Sequence, residues 1–333
     1  MRKTEHNKFK PNKLRFYPRV NPEFVPRVNL EIRSNIRKFL EIDNDDKLFN
    51  YYKNLKTDIA LLTKGRCSYC GKYTDLSIEH YRPKDGIVVN KLQPKNMSKP
   101  GYFWLASDWY NLHPACTACN CIKTREIVDT NTVIGAPKVV GKGNYFPLYG
   151  GHTHAPLLMR EKTSTALSFS SKQVKKERPL LFNPSKELPA SLFEYSIVRG
   201  RRGKVLIIQP KVGISPYKQA IAETTIDLLG LNSKDQAKAR MDTYILTNET
   251  LNNIDAINNF DDQEVIEQLE QLCSYIDEND NGSYLGMIES MLGHRLRTIS
   301  HQIDNHLNHP RSNNELLSDV VTSIERLLDN NTH

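Results

Sequence analysis

Four cysteines in two Cys-x-x-Cys pairs constrain the fold of this chain more than any other feature of its sequence. Cys67 and Cys70 form the first pair, Cys116 and Cys119 form the second, and 45 residues separate Cys70 from Cys116. Two such pairs have the spacing of a site that binds one zinc ion through four thiolates. Closing this site would join two distant segments of the chain. We therefore predict a closed, structural Zn2+ site that stabilises a small module.

The cysteine content, the hydropathy and the N-terminal segment are those expected of a cytoplasmic protein. Six cysteines among 333 residues are too few for a disulfide scaffold, and paired Cys-x-x-Cys motifs in a reducing compartment favour metal binding. No segment approaches the roughly 18 consecutive apolar residues that a membrane span requires. The basic N-terminus also lacks the apolar segment of an export signal. We expect a cytoplasmic protein that does not contact a membrane.

The distribution of charge predicts a phosphate-bearing partner for one end of the chain. The formal net charge is +8, and residues 1–40 contain eleven Lys or Arg residues against three Glu residues. Residues 241–293 contain no Lys or Arg and many carboxylates. We expect the N-terminal part to face nucleic acid and the acidic stretch to face water or a protein partner.

Hydrophobic spacing and turn residues divide the chain into four regions. They are a basic N-terminal arm with helices, a metal module, an irregular segment with a small β-hairpin, and an acidic helical region: residues 1–62, 63–130, 131–213 and 214–333. The hairpin strands are predicted at 193–199 and 204–209. Ser233 and Gln236 have the spacing of a helix-capping box. Helices are predicted at about 234–254, 262–278, 283–305 and 313–329.

Between the cysteine pairs lie residues that suit phosphodiester hydrolysis. Glu79 and Asn120 offer the carboxylate and amide oxygens that Mg2+ or Mn2+ prefers. His80 has an ordinary pKa near 6.5, which suits a general base at neutral pH, and Asn111 is placed to orient its imidazole. Adjacent residues of an ideal strand point to opposite faces. Glu79 and His80 can therefore enter one site only from a strand end or a bulge.

The motifs around these residues resemble a known class of nuclease. The segments that carry the resemblance are Cys67–Cys70, Ile78–Lys84, Tyr102–Leu105, Asp108–Leu112 and Ala115–Lys123, with weaker similarity at Tyr145–Pro147, Pro179–Pro184 and Thr225–Asn232. They resemble the HNH endonucleases of bacterial defence systems, and most of all the nuclease subunit of Septu-type anti-phage systems, including retron-associated ones. The resemblance covers about residues 60–245.

The resemblance implies a fold, site roles and a partner. The implied fold class is α+β, with a zinc-stapled ββα-metal (HNH) core embedded in a largely helical protein. His80 would be the base and Asn111 its orienting residue, with Glu79 and Asn120 as ligands of the catalytic metal. A partner ATPase would gate the nuclease. The sequence agrees with a separate ATPase, because Gly141-Lys142-Gly143 lacks the spacing and the hydroxyl residue of a phosphate-binding loop.

The substrate and the alternatives remain open at the level of sequence. Arg82 and Lys84 lie just beyond His80 and either hold the scissile phosphate or belong to a solvated loop. DNA is the favoured substrate, and RNA stays open. Hydrolysis in which the 3′ oxygen is the leaving group would leave 5′-phosphate and 3′-hydroxyl ends. The alternatives to a nuclease are a non-catalytic, zinc-dependent nucleic-acid-binding module and an assembly adaptor that acts through its C-terminal helices.

Overall fold

The computed structural model describes residues 51–88, 90, 95–128, 135–159, 167, 171–200, 203–256, 260, 263–276, 283–307 and 315–329. The described part mixes helices with two-stranded antiparallel ladders, as an α+β chain does. The basic arm and the part of the predicted N-terminal helices that precedes residue 51 lie outside the described residues. The segment that leads into the module is a 3-10 turn at Tyr51–Leu55 followed by helix α1 at Lys56–Leu61.

The module is built around a pair of short strands. Strand β1 at Leu76–His80 and strand β4 at Leu112–Cys116 are antiparallel, with Glu79 opposite His113. Helix α2, at Thr117–Asn120, follows β4 directly. Both strands were predicted, and the structure confirms them with β4 displaced by one residue. The β4 side chains are all buried, so the pair is an interior element rather than a surface hairpin.

The loop between β1 and β4 carries a second, very short ladder. Strands β2 at Ile87–Val88 and β3 at Met97–Ser98 pair antiparallel. The region that follows forms a β-hairpin that the sequence did not indicate, made by β5 at Lys123–Val128 and β6 at Gly135–Val140. This hairpin crosses residue 130, so hydrogen bonds join segments on either side of the boundary predicted there.

The second half of the described chain is dominated by helices. Strands β7 at Phe193–Gly200 and β8 at Gly203–Pro210 confirm the predicted hairpin. The helices that follow are α3 to α7, at Pro216–Leu229, Lys234–Asp255, Gln263–Ile276, Leu285–Leu307 and Glu315–Asp329. Among them α6 packs on α7 and α4 packs on α5. Their apolar faces form one buried cluster, which includes Leu269, Leu296 and Ile324.

The ends of these helices show which local signals operate. Helix α3 begins after Ser215, whose hydroxyl accepts from the backbone N–H of Lys218, and ends at Gly230 in the left-handed conformation. Ser233 is the N-cap residue of α4, but its side chain makes no capping hydrogen bond. The predicted capping box is therefore wrong as a hydrogen-bonded motif, although the helix begins where it was expected. Within the described residues, no helix combines the length and the apolar character needed to cross a membrane.

Candidate functional site

The four predicted zinc ligands come together in the interior. Cys67, Cys70, Cys116 and Cys119 are all buried, and their sulfur atoms lie within 4.8 Å of one another. The sulfurs of Cys70 and Cys116 are 3.8 Å apart, which matches the edge of about 3.8 Å in a tetrahedron whose Zn–S bonds are about 2.3 Å long. The residues therefore fit a structural zinc ion with four protein ligands and no open position.

Local backbone geometry prepares the two cysteine pairs. In the first pair the N–H of Gly71 donates to the carbonyl of Cys67, and Gly71 has a positive φ of 77° that favours glycine. The second pair spans the end of β4 and the short helix α2. Hydrogen bonds from the neighbouring thiols, Cys119 first, hold the pKa of Cys116 far below its usual range, which favours the thiolate that a zinc ion binds. A hydrogen bond from Ser68 N to Pro114 O joins the two pairs.

Glu79 is buried in an ion pair. Its side chain is 1% exposed, and Oε1 lies 2.5 Å from the Lys142 ammonium, which is itself 1% exposed. The hydroxyl of Tyr69 donates to the other carboxylate oxygen at 2.8 Å. Both oxygens of Glu79 are therefore engaged by side chains of this chain.

Asn120 lies on the same face of β1 as Glu79. Its amide Nδ2 donates to the hydroxyl of Ser77 at 3.1 Å, and Ser77 and Glu79 point to one side of the strand because they are two residues apart. The structure thus brings the two predicted oxygen ligands to one side of the β1–β4 pair.

The imidazole of His80 points away from that face. Its Nε2 lies 2.9 Å from the carbonyl oxygen of Ala106, and its ring meets the Tyr52 ring edge-on with centroids 4.5 Å apart. A carbonyl can only accept, so Nε2 carries the proton and Nδ1 is the basic nitrogen. Burial, opposed by the hydrogen bond to Ala106, lowers the pKa of His80 to about 3. The imidazole is therefore neutral near pH 7, and no contact between described residues joins it to the Glu79 carboxylate.

Asn111 acts on His80 through the backbone rather than by direct contact. Its Oδ1 accepts from Arg82 N at 2.8 Å, and its Nδ2 donates to the carbonyls of Arg82 and Leu105 at 3.0 and 3.1 Å. These groups flank His80 on one side and its acceptor Ala106 on the other. Asn111 thus fixes the two segments that define the position of the imidazole.

The two predicted phosphate-binding cations are paired with carboxylates. The guanidinium of Arg82 lies 3.0 Å from Glu177 and over the rings of Tyr81, Tyr102 and Phe146, and its side chain is 11% exposed. The ammonium of Lys84 lies 2.5 Å from Asp85 and 5.6 Å from the Tyr52 ring centroid. A role for either residue in substrate binding stays a prediction.

A hydrated divalent ion does not fit at Glu79 in this arrangement. Mg2+ keeps several water ligands, whereas the Glu79 side chain is 1% exposed and one of its oxygens faces an ammonium. A divalent cation at that carboxylate would lie beside a like charge in a medium of low dielectric. The metal-ligand roles of Glu79 and Asn120 remain predictions.

Sequence reasoning missed three residues that organise this region: Lys142, Tyr69 and Glu177. Glu177 pairs with Arg82 and also accepts from the Tyr102 hydroxyl and the Ala155 N–H. In the sequence, Lys142 is marked only as part of a turn by its neighbours Gly141 and Gly143. No signal in the sequence marks the other two residues.

Comparisons with known proteins give a partial similarity. The chain is 36% identical over 78 residues to the Septu protein PtuB of Bacillus mycoides (strain KBAB4), a match that covers 22% of this chain and 26% of that protein. The chain thus matches about a quarter of the length of this curated relative. No protein-family model matches the chain. No solved structure matches it either.

Proposed function

We propose that this chain is the HNH-type endonuclease subunit of a Septu-related anti-phage defence system. The observation that carries the proposal is the placement of Glu79, His80 and Asn120 on one β1–β4–α2 unit, whose Cys116 and Cys119 cluster with Cys67 and Cys70 from the segment before β1. In this proposal the unit is the ββα core of the HNH fold. The similarity to a Septu protein supports the defence role.

In the proposed reaction, His80 is the general base. Its Nδ1 accepts a proton from water, and the Ala106 carbonyl stabilises the imidazolium through the hydrogen bond at Nε2. The activated water attacks phosphorus in line with the 3′ oxygen, and the bond between phosphorus and the 3′ oxygen breaks. The leaving 3′ oxygen takes a proton from solvent, which yields 5′-phosphate and 3′-hydroxyl ends. Asn111 holds the backbone on which this geometry depends. The divalent ion that the sequence predicts is assigned no part in these steps.

His80 is only partly exposed, and a wider opening would let a nucleic acid reach its imidazole. Tyr52 and Lys84 lie against its imidazole side, and Lys84 in turn pairs with Asp85. A base with a pKa of about 3 is also weaker than one matched to neutral pH. Opening this cover would return water to the imidazole and raise its pKa toward the ordinary value. We assign this opening to the partner ATPase, which makes the isolated chain the less active form.

The proposed substrate is nucleic acid, with DNA favoured, and a basic N-terminal region supplies the charge that a polyphosphate requires. Eleven Lys and Arg residues lie among residues 1–40, and such segments bind phosphates without sequence preference. RNA would satisfy the same electrostatics, so the experiment must include it.

A non-catalytic nucleic-acid-binding or adaptor subunit is the second candidate. The observation that favours it is the closed arrangement of the site, in which Glu79 is paired with Lys142 and Arg82 with Glu177. In that function the zinc module would present the basic arm, and His80 would be a structural histidine.

The deciding experiment is cleavage of plasmid DNA, single-stranded DNA and tRNA with Mg2+, with Mn2+ and with EDTA. The chain is tested alone and, if an ATPase co-purifies, together with it. His80→Ala is compared with His154→Ala, a matched control in which another histidine bonds a backbone carbonyl, that of Phe146. We expect cleavage by the wild type and the control, and a loss of about 100-fold or more in His80→Ala. Binding without cleavage by all three proteins, even with the ATPase, would establish the second candidate instead.

A further inference from the structure

Lys142 makes a buried set of contacts that the proposed reaction does not use. Its ammonium lies 2.5 Å from Glu79 Oε1, donates to the carbonyl of His80 at 2.7 Å and lies 3.4 Å from the carbonyl of Gly143. Neither Lys142 nor Glu79 has more than 1% of its side chain exposed. The ammonium therefore has oxygen neighbours and almost no contact with bulk solvent, as a cation has in a protein-lined site.

The backbone fixes the lysine beside the presumed ligand face. The N–H of Lys142 donates to the carbonyl of Cys119 at 2.9 Å, and the N–H of Gly143 donates to the carbonyl of Asn120 at 2.8 Å. At Gly141 φ is 110°, and a Cβ there would lie 2.1 Å from the carbonyl oxygen of Cys121. Only glycine allows this approach. Lys142 is thus held against the residues that follow β4 and does not swing in from a mobile surface loop.

A divalent ion and this ammonium compete for one place. An ion bound to the Glu79 carboxylate would share it with the Lys142 ammonium, which lies 2.5 Å from Oε1, and would need space for its own waters. The ion and the ammonium would then be two positive charges close together in a buried setting, where like charges repel strongly. Occupancy by one cation therefore excludes the other.

We infer that Lys142 is the resident cation of Glu79: its ammonium occupies the position that a divalent ion would need, and the pair anchors the end of β1 through the carbonyl of His80. The inference concerns the cation at this carboxylate and does not depend on whether the chain cleaves nucleic acid. The Tyr69 hydroxyl completes the set by donating to the second oxygen of Glu79.

The test is Mn2+ binding by the zinc-loaded full chain, followed by electron paramagnetic resonance. Wild type is compared with Glu79→Gln, Lys142→Ala and the double variant Glu79→Gln/Lys142→Ala. Lys138→Ala is the control, because Lys138 is exposed and pairs with Asp227 at the surface. We expect wild type, Glu79→Gln and Lys138→Ala to bind Mn2+ alike. Lys142→Ala should gain a site at least about 10-fold tighter, and the double variant should lose it.

Two outcomes would overturn the inference. One is a wild-type Mn2+ site that Glu79→Gln weakens 10-fold or more. The other is a folded, zinc-loaded Lys142→Ala protein that binds Mn2+ no more tightly than wild type. Neither result bears on nuclease activity, so failure here and failure of the proposed function are distinguishable.

A thermal-unfolding cycle covers the case in which Lys142→Ala does not fold. Removing one member of a buried ion pair leaves the other charge uncompensated, whereas replacing both members removes the penalty. Glu79→Gln and Lys142→Met should each lower Tm by at least about 5 °C, and the double variant should recover most of the loss. Additive losses in the double variant would show that the two residues are not a pair.

Discussion

The zinc module and the C-terminal helices are both buried structures, yet different forces position their residues. In the module, the buried set includes the thiols of the cysteine cluster together with Arg66 and Glu79, and the partner of Glu79, Lys142, is buried beside it. In α5, α6 and α7 the described residues bury no charged side chain, and the buried polar ones are Ser300 and Ser323. Apolar side chains of those helices form one buried cluster.

The stability of the two regions therefore depends on individual residues in different ways. An apolar face tolerates exchange among residues of similar size, so its structure is spread over many weak contacts. A buried charge or metal ligand depends on one partner, and removing that partner leaves an unsatisfied group. The module should therefore fail at single residues, and the helices should weaken gradually.

The largest effect should follow loss of a zinc ligand. Structural zinc contributes on the order of 10–16 kcal/mol in small peptides, so Cys116→Ser should abolish stoichiometric zinc and unfold the module. Cys121→Ser is the matched control, because Cys121 is an exposed cysteine nearby in sequence. Zinc content by mass spectrometry and near-ultraviolet circular dichroism measure the effect. Full zinc occupancy in Cys116→Ser would contradict the four-thiolate site.

The next effect should follow loss of Glu177. Glu177→Gln leaves the Arg82 guanidinium without its carboxylate in a setting where these side chains are 11% and 2% exposed. We expect a loss of about 3–5 kcal/mol in the free energy of unfolding. Glu126→Gln, which breaks the exposed pair with Lys234, should cost less than about 1 kcal/mol. Urea denaturation compares the two, and equal losses would remove the distinction between buried and exposed pairs.

Shortening one buried side chain in the helical region should lower the free energy of unfolding without releasing zinc. Leu296 is fully buried in α6, so Leu296→Ala should lower the free energy of unfolding by about 2–5 kcal/mol and leave zinc content unchanged. Leu246→Ala, at a leucine that is 47% exposed in α4, should cost less than about 1 kcal/mol. The measurement is urea denaturation with zinc analysis of the folded protein. Loss of zinc in Leu296→Ala would show that the two regions are not independent.

The smallest effect is expected at His80, whose imidazole should keep the same protonation state around neutral pH. Its folded pKa of about 3 lies below the ordinary value of 6.5, so the neutral imidazole adds stability above pH 6.5. That stability is lost as the pH falls toward 3, because the unfolded state binds the proton more readily. Between pH 5.5 and 8 the His80 imidazole signals in nuclear magnetic resonance should stay constant. A midpoint near pH 6.5 for His80 would show an open, hydrated site in solution.

Hydrophobic periodicity predicted the helical region well. Helices expected at 283–305 and 313–329 are observed at Leu285–Leu307 and Glu315–Asp329, because a core-facing stripe repeats within each helix and needs no distant partner to be recognised. The hairpin of β7 and β8 was also recognisable, since β-rich segments flank a turn that contains glycine.

The β5–β6 hairpin was missed for a physical reason. Strand β5 is rich in charged residues and buries only Val128 at its end, so it lacks the alternation of apolar and polar residues that indicates a strand. Its end is fixed instead from a distance, where the N–H of Val128 donates to the carbonyl of Asn232.

Sequence alone determined the candidate residues of this protein: the four cysteines that the structure brings together, and the Glu79, His80, Asn111 and Asn120 set, whose roles stay predictions. Their spacing is a local property that the chain displays without folding. Only the tertiary structure decided how those residues are used, because Glu79 meets Lys142, 63 positions away, and Arg82 meets Glu177. A buried charge takes its partner from whatever the folded chain brings within a few ångströms, and no periodicity in the sequence records that choice.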